Sequence, residues 1–135
     1  MQLKINTSYA IRVILELARG NRMNCKELAE RLNVEESCVS EILRKLNKAD
    51  ILTSIHGRNG GYVLKSDLNT LTLLDVISIT ENTVKINRCL EEDKFCSKQA
   101  VTTCSIRKRY EEIQRMIEDE LSKLTFKELL EYGKG

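Results

Sequence analysis

The feature that most constrains this chain is an order of elements: three amphipathic helical segments, then a basic, glycine-rich hairpin. Residues 7–19 place Ala10, Val13, Ile14, Leu17 and Ala18 on one face of a helix, the spacing that 3.6 residues per turn requires. Gly20 and Asn21 are stop signals. Asn24 opens a second helix, with Glu27 three residues on in a capping-box pattern and Leu28, Ala29 and Leu32 inward. After a break at Asn33-Val34, a third helix runs from near Glu35 to about Lys48 on the stripe Val39, Ile42, Leu43 and Leu46. Ile51–Ile55 and Tyr62–Leu64 have strand character, and His56-Gly57-Arg58-Asn59-Gly60-Gly61 turns between them. This is the order of a winged helix-turn-helix. The expected fold is mainly α with a small β-wing, continued by a long dimerisation helix.

The third helix turns Ser37, Ser40, Glu41, Arg44, Lys45 and Lys48 outward. Small polar residues in the first turns and cations further along suit a recognition helix, which reads base edges first and holds phosphates second. A plain solvated helix carries the same residues, so the hairpin decides. Its tip offers Arg58 and His56 to a minor groove or to phosphates. Between Ile42 and Ser66 stand five cations (Arg44, Lys45, Lys48, Arg58, Lys65) and one acid, Asp50, although the whole chain carries only +2. That local patch has the form of an electrostatic footprint for phosphates; a solvated basic face has the same charge count. Aromatics are 4% of residues, too few for a base-stacking platform.

Other classes fall away. No apolar run approaches the roughly 20 residues of a membrane span. Arg12 and Glu16 interrupt the N-terminal apolar run, which lacks a cleavage pattern. A cytoplasmic protein is expected, and there five cysteines serve as thiols or metal ligands rather than structural disulfides. One histidine, no nucleophile–base pairing and no phosphate-cradling loop argue against an enzyme and a small-molecule substrate.

Thr72 and Asp75 cap a short helix from Leu73 to Glu81. A polar loop follows to Cys104, long enough to expect a function. From Ser105 the stripe Ile106, Tyr110, Ile113, Ile117, Leu121 and Leu124 repeats at coiled-coil-like spacing. A helix of roughly 20 residues is about 30 Å long, more than one small domain covers. Pairing with the same helix of a second subunit solves this; packing across its own winged helix is the alternative. Phe126, Leu129 and Leu130 suggest a short helix returning to the body. The resulting segments are a DNA-binding domain (1–66), a connecting helix (67–82), a cysteine loop (83–104) and a dimerisation helix with its C-terminal return (105–135).

Cys89, Cys96 and Cys104 are spaced C-x6-C-x7-C. Clustered soft thiolates suit iron–sulfur or zinc binding. The spacing is wider than a tight C-x2-C zinc knuckle, and a disulfide switch between two of them is an alternative. Cys25 and Cys38 are expected as small apolar residues near the core. Arg107, Lys108 and Arg109 stand in the first turn of the long helix, where they either offset the charge of a thiolate-ligated cluster or form a solvated basic face.

The start MQLKINTSYAIRVILELA, the helix pair KELAERLNVEESCVSEILRKLNKADIL, the wing GRNGGYVL and the three-cysteine loop resemble the Rrf2 family of bacterial winged-helix regulators, in its cluster-binding branch. The resemblance spans nearly the whole chain. It implies a homodimer crossed through the long helix, and a 2Fe–2S or 4Fe–4S cluster held by Cys89, Cys96 and Cys104. It also implies palindromic double-stranded operators, with Ser37, Ser40 and Glu41 facing bases and Arg58 in the minor groove. Two positions depart from the family. Arg107 stands where one branch has a histidine ligand, and Ser8 where another takes an aspartate from the partner subunit. The fourth ligand is therefore open among Ser8, Asn6, an acid of Glu91-Glu92-Asp93 and an exogenous small molecule. Ser40 replaces a glutamate of the assembly-regulator branch, which implies a different operator. The function implied is a repressor whose cluster senses nitric oxide, redox state or iron–sulfur supply. A cluster-free thiol regulator and a regulator that docks on a metabolic enzyme are the alternatives.

Overall fold

The computed structural model describes residues 2–133; Met1, Lys134 and Gly135, which belong to the first and last expected segments, lie outside the described residues. Helix α1 (Ile5–Gly20) buries Thr7, Ala10, Val13, Ile14 and Leu17, and ends where Asn21 turns left-handed at φ 67°. Asn24 caps α2 (Cys25–Leu32) by accepting the Glu27 N–H at 2.8 Å, the forward half of the expected box. Asn33, also left-handed, turns the chain into α3 (Glu36–Lys48), which buries Val39, Ile42, Leu43 and Leu46. The helix-turn-helix is therefore held by apolar faces packed against α1.

Strands β1 (Leu52–Ile55) and β2 (Gly61–Leu64) pair antiparallel, from Leu52 opposite Leu64 to Ile55 opposite Gly61. A further pairing roots the wing. Met23, between α1 and α2, donates its N–H to Tyr62 O at 3.2 Å and accepts the Tyr62 N–H at 2.8 Å. Gly61 makes this approach possible: its φ is +154°, and a Cβ there would stand 2.7 Å from Met23 O.

Helix α4 (Leu73–Thr80) begins with the expected Thr72–Asp75 capping box, present in both directions. Helices α5 (Ser105–Lys123) and α6 (Phe126–Tyr132) follow. Their junction is pinned to the start of α4: Leu73 N–H donates to Leu124 O at 2.9 Å, and Phe126 N–H to Leu71 O at 3.0 Å. This seats Phe126, fully buried, in the same core as α1 and α3. Truncating such a ring typically costs about 3–5 kcal/mol.

Candidate nucleic-acid interface and cysteine loop

Burial of the α3 stripe forces its other face outward. Ser37, Ser40, Glu41, Arg44 and Lys48 are exposed, and Lys45 is half-exposed in a 3.8 Å ion pair with Glu41. Arg44, Lys45 and Lys48 line an open cleft against Ile79 of α4. His56 and Arg58 are exposed in the turn between β1 and β2. The sequence-derived reading residues thus lie on two open surfaces, one helix face and one hairpin tip. That is the pairing with which a winged helix addresses a groove and its flanking phosphates.

The remaining cysteines of this domain depart from the expectation of plain apolar filling. Both are half-buried. Cys25 packs against the core, but its thiol donates to Glu36 O at 3.4 Å. Burial, then the Glu36 charge, pushes that thiol up in pKa, so it resists forming a thiolate. Cys38 donates to Asn6 Oδ1 at 3.4 Å, joining the first turn of α3 to α1. Asn6, a candidate fourth ligand, is thereby engaged, and Ser8 is half-buried on the same helix.

The cysteine loop is organised at both ends. Asn87 caps a 3₁₀ turn (Arg88–Leu90) by accepting the Cys89 N–H at 3.2 Å. Arg107 of α5 donates from Nε to Cys89 O at 3.3 Å and pairs with Glu111 at 2.6 Å. With its side chain only 14% exposed, Arg107 tethers the Cys89 turn to α5. Arg109 pairs with Glu112 at 2.8 Å. Two of the three cations expected to offset a cluster charge are therefore already matched by helix carboxylates. Of the acidic candidates, Glu91 accepts the Thr83 hydroxyl and Asp93 forms a two-point pair with Arg88. Phe95 is exposed beside that guanidinium, which sits 5.6 Å from the ring centroid.

Cys96 occupies a cradle of backbone donors. Its sulfur accepts the Ala100 N–H at 3.5 Å, and Gln99 is left-handed at φ 53°, which turns successive N–H groups toward it. The Ala100 N–H foremost, then that of Lys98, pull the Cys96 thiol below its ordinary pKa against a smaller burial penalty. Cys104 is the N-cap of α5 and donates its own N–H to Ala100 O at 2.9 Å. Ala100 thus lies between the two residues in the hydrogen-bond pattern. Cys89, Cys96 and Cys104 are all half-buried free thiols. Among the described residues, no three His, Cys, Asp or Glu side chains converge as a metal-holding group. The donor chemistry fits an iron–sulfur cluster or a soft metal, and residues 91–103 contain no fully buried side chain to oppose closure of the loop.

The expected dimer stripe divides between two environments. Ile117 and Leu121 are half-buried against α4 and, with Leu3, Ile77 and Ile86, line a cavity of about 380 Å³. Tyr110 and Leu124 are half-buried too. Ile106 and Ile113 are 53% and 43% exposed, and Met116, absent from the expected stripe, is 66% exposed. Part of the expected dimer stripe thus packs within the chain, while the other flank is exposed in the single chain. The one buried residue of α5 is polar: Gln114, which the apolar periodicity gave no reason to select.

Helices, wing and open α3 face together define a winged-helix transcription regulator. The chain belongs to the Rrf2 family: the family model, described as an iron-dependent transcriptional regulator, matches residues 3–132. The HTH-type transcriptional regulator IscR of Vibrio campbellii is 26% identical over 133 residues, covering 96% of this chain and 77% of that protein. The solved structure of CymR (YrzC), the global cysteine regulator of B. subtilis, superimposes with a TM-score of 0.77 at 24% identity, over 98% of both chains. T. potens IscR gives 0.72 at 21%, over 98% of this chain and 88% of that one. These structures share the fold. Among the described residues, no helix is long and apolar enough to cross a membrane.

Proposed function

We propose that the protein is a dimeric repressor that reads palindromic DNA with α3 and its wing, and that its cysteine loop sets operator affinity. The observation that carries the DNA half is the shared exposure of Ser37, Ser40, Arg44 and Lys48 on α3 and of Arg58 on the wing. Ser37, Ser40 and Glu41 face base edges, Arg44, Lys45 and Lys48 hold phosphates, and Arg58, with His56, enters the minor groove. The free flank Ile106, Ile113 and Met116 crosses its copy in a second subunit.

Cys89, Cys96 and Cys104 would hold an iron–sulfur cluster, with the fourth position supplied from outside the cysteine set. Such a cluster supplies a centre that responds to nitric oxide, oxidation or iron–sulfur supply. This chain's own residues contribute a thiolate-favouring cradle at Cys96 and a turn at Cys89 held to α5 by Arg107. Ligation of a tethered turn biases the pose of α5 and of the two winged helices it joins.

The Cys96 cradle also favours a second reading, a cluster-free thiol regulator in which that thiolate is the reactive group. The likeness extends to both an IscR and a cysteine regulator. The visible spectrum of protein purified without oxygen, with iron and sulfide counted on the same sample, separates the two. Broad absorption that bleaches when Cys89, Cys96 or Cys104 is replaced by Ala establishes the cluster. Colourless protein without iron after anaerobic reconstitution overturns it in favour of the thiol reading.

A further inference from the structure

We infer that Gln114 is the positioning residue through which the cysteine loop acts on α5; this rests on the reading of that loop as the sensor. Gln114 is 4% exposed and spends its whole amide on one stretch of backbone. Its Nε2 donates to Val84 O at 2.8 Å, and its Oε1 accepts the Ile86 N–H at 2.8 Å. It therefore grips residues 84–86 much as a neighbouring strand would. Between those two bonds, Lys85 pairs with Glu118 of α5 at 3.5 Å.

The strap so formed leads into the cysteine loop. Asn87, which caps the Cys89 turn, follows Ile86 directly, and Arg107 takes Cys89 O from the same helix. A displacement at Cys89 is thus passed to α5 at two levels. The strap also roofs the cavity of about 380 Å³ above Ile77, Ile117 and Leu121, so inward movement meets space rather than packed atoms. At its other end, Thr83 is two residues from Glu81, which accepts hydrogen bonds from the Lys4 N–H and the Thr7 hydroxyl of α1. The strap therefore joins the cysteine loop both to the helix with the free apolar flank and to the first helix of the DNA-binding domain. A contiguous network of this kind carries coupling when one element in it has two arrangements.

The test compares DNA affinity of the parent and Cys89→Ala proteins, each purified without oxygen, in the Gln114 and Gln114→Leu backgrounds. Amide exchange over residues 84–90 is followed in the same samples. With Gln114 present, Cys89→Ala changes affinity by roughly fivefold or more, a usual size for coupling between sites. In Q114L the change falls below about twofold, and exchange over 84–90 rises about tenfold while α1 to α3 keep their protection. Gln114→Glu, which keeps the acceptor for Ile86 and loses the donor to Val84, carries the same test where Q114L does not fold. An equal affinity change in both backgrounds overturns the coupling and leaves the sensor reading standing. No change in the Gln114 background overturns the reading of Cys89 as part of the sensor, and the coupling with it.

Discussion

Glu81 ties down the start of α1 from the far end of α4: its carboxylate accepts the N–H of Lys4, 77 residues away, at 2.9 Å and the hydroxyl of Thr7. Lys4 supplies no side-chain cap to α1; Glu81, the residue after α4, instead fixes where that helix starts. Partial burial pushes the Glu81 carboxyl up, but the bonds from Thr7 and Lys4, with the Lys4 charge, outweigh it and leave the pKa below the ordinary carboxylate range. The lowered folded-state pKa means the stabilisation is fully present above the unfolded pKa and is lost as pH falls through the folded one. Glu81→Ala is expected to lose about 1 kcal/mol, the usual net value of a protein hydrogen bond. Urea titrations from neutral pH downward check this: the gap between parent and variant narrows as pH falls below the ordinary carboxylate range.

Gly61→Ala is expected to destabilise the wing root. The new Cβ would meet Met23 O at 2.7 Å and Met23 C at 2.8 Å, with φ at +154°. Both partners are backbone, so relief requires opening the Met23–Tyr62 pairing. A cost of about 1–3 kcal/mol follows for strain of this kind, measured as a lower calorimetric midpoint. DNA affinity falls with it, because the wing loses its seat.

Arg58→Ala and Lys48→Ala are expected to weaken DNA binding at every sequence, each lowering the salt slope by about one unit. Ser40→Ala leaves that slope unchanged and alters preference at one base position by about 1–3 kcal/mol. Fluorescence anisotropy across a salt series separates the two kinds of residue. Protected half-sites are expected about 34–36 Å apart, one helical turn.

Met116→Asp and Ile113→Asp are expected to dissociate the dimer while leaving the monomer folded, because both side chains are already largely exposed in the single chain. Ile117→Asp damages the fold itself, since half-buried Ile117 lines an apolar cavity with Ile77 and Leu121, where a carboxylate would lose its water. Sedimentation read beside circular dichroism distinguishes these outcomes. A Met116→Asp protein that remains a dimer places the interface elsewhere.

Much of this molecule was legible in local pattern. The Thr72–Asp75 box, the left-handed asparagine after α1 and the apolar stripes of α1 to α3 are written within a few residues of where they act. The exposed face of α3 follows from them, because burying Val39, Ile42, Leu43 and Leu46 leaves Ser37, Ser40 and Arg44 nowhere to go but out. The cysteine triplet offers soft ligands by residue type, but among the described residues no three such side chains converge, so its chemistry is not legible from sequence spacing.

What periodicity does not carry is the pairing of polar groups far apart in the chain. Neither Gln114 nor Glu81 belongs to any motif, and each takes its role from backbone donors that the fold delivers to it. Met23 joins the wing through its main chain, which no side-chain pattern records. The stripe on α5 likewise could not say which flank turns inward, since Ile113 and Ile117 are equally apolar. Local spacing thus sets which elements form and which face of each is apolar. Which polar atoms are buried together, and which apolar flank stays exposed, is decided only when those elements pack, because hydrogen bonds and desolvation depend on distances that exist in the folded chain alone.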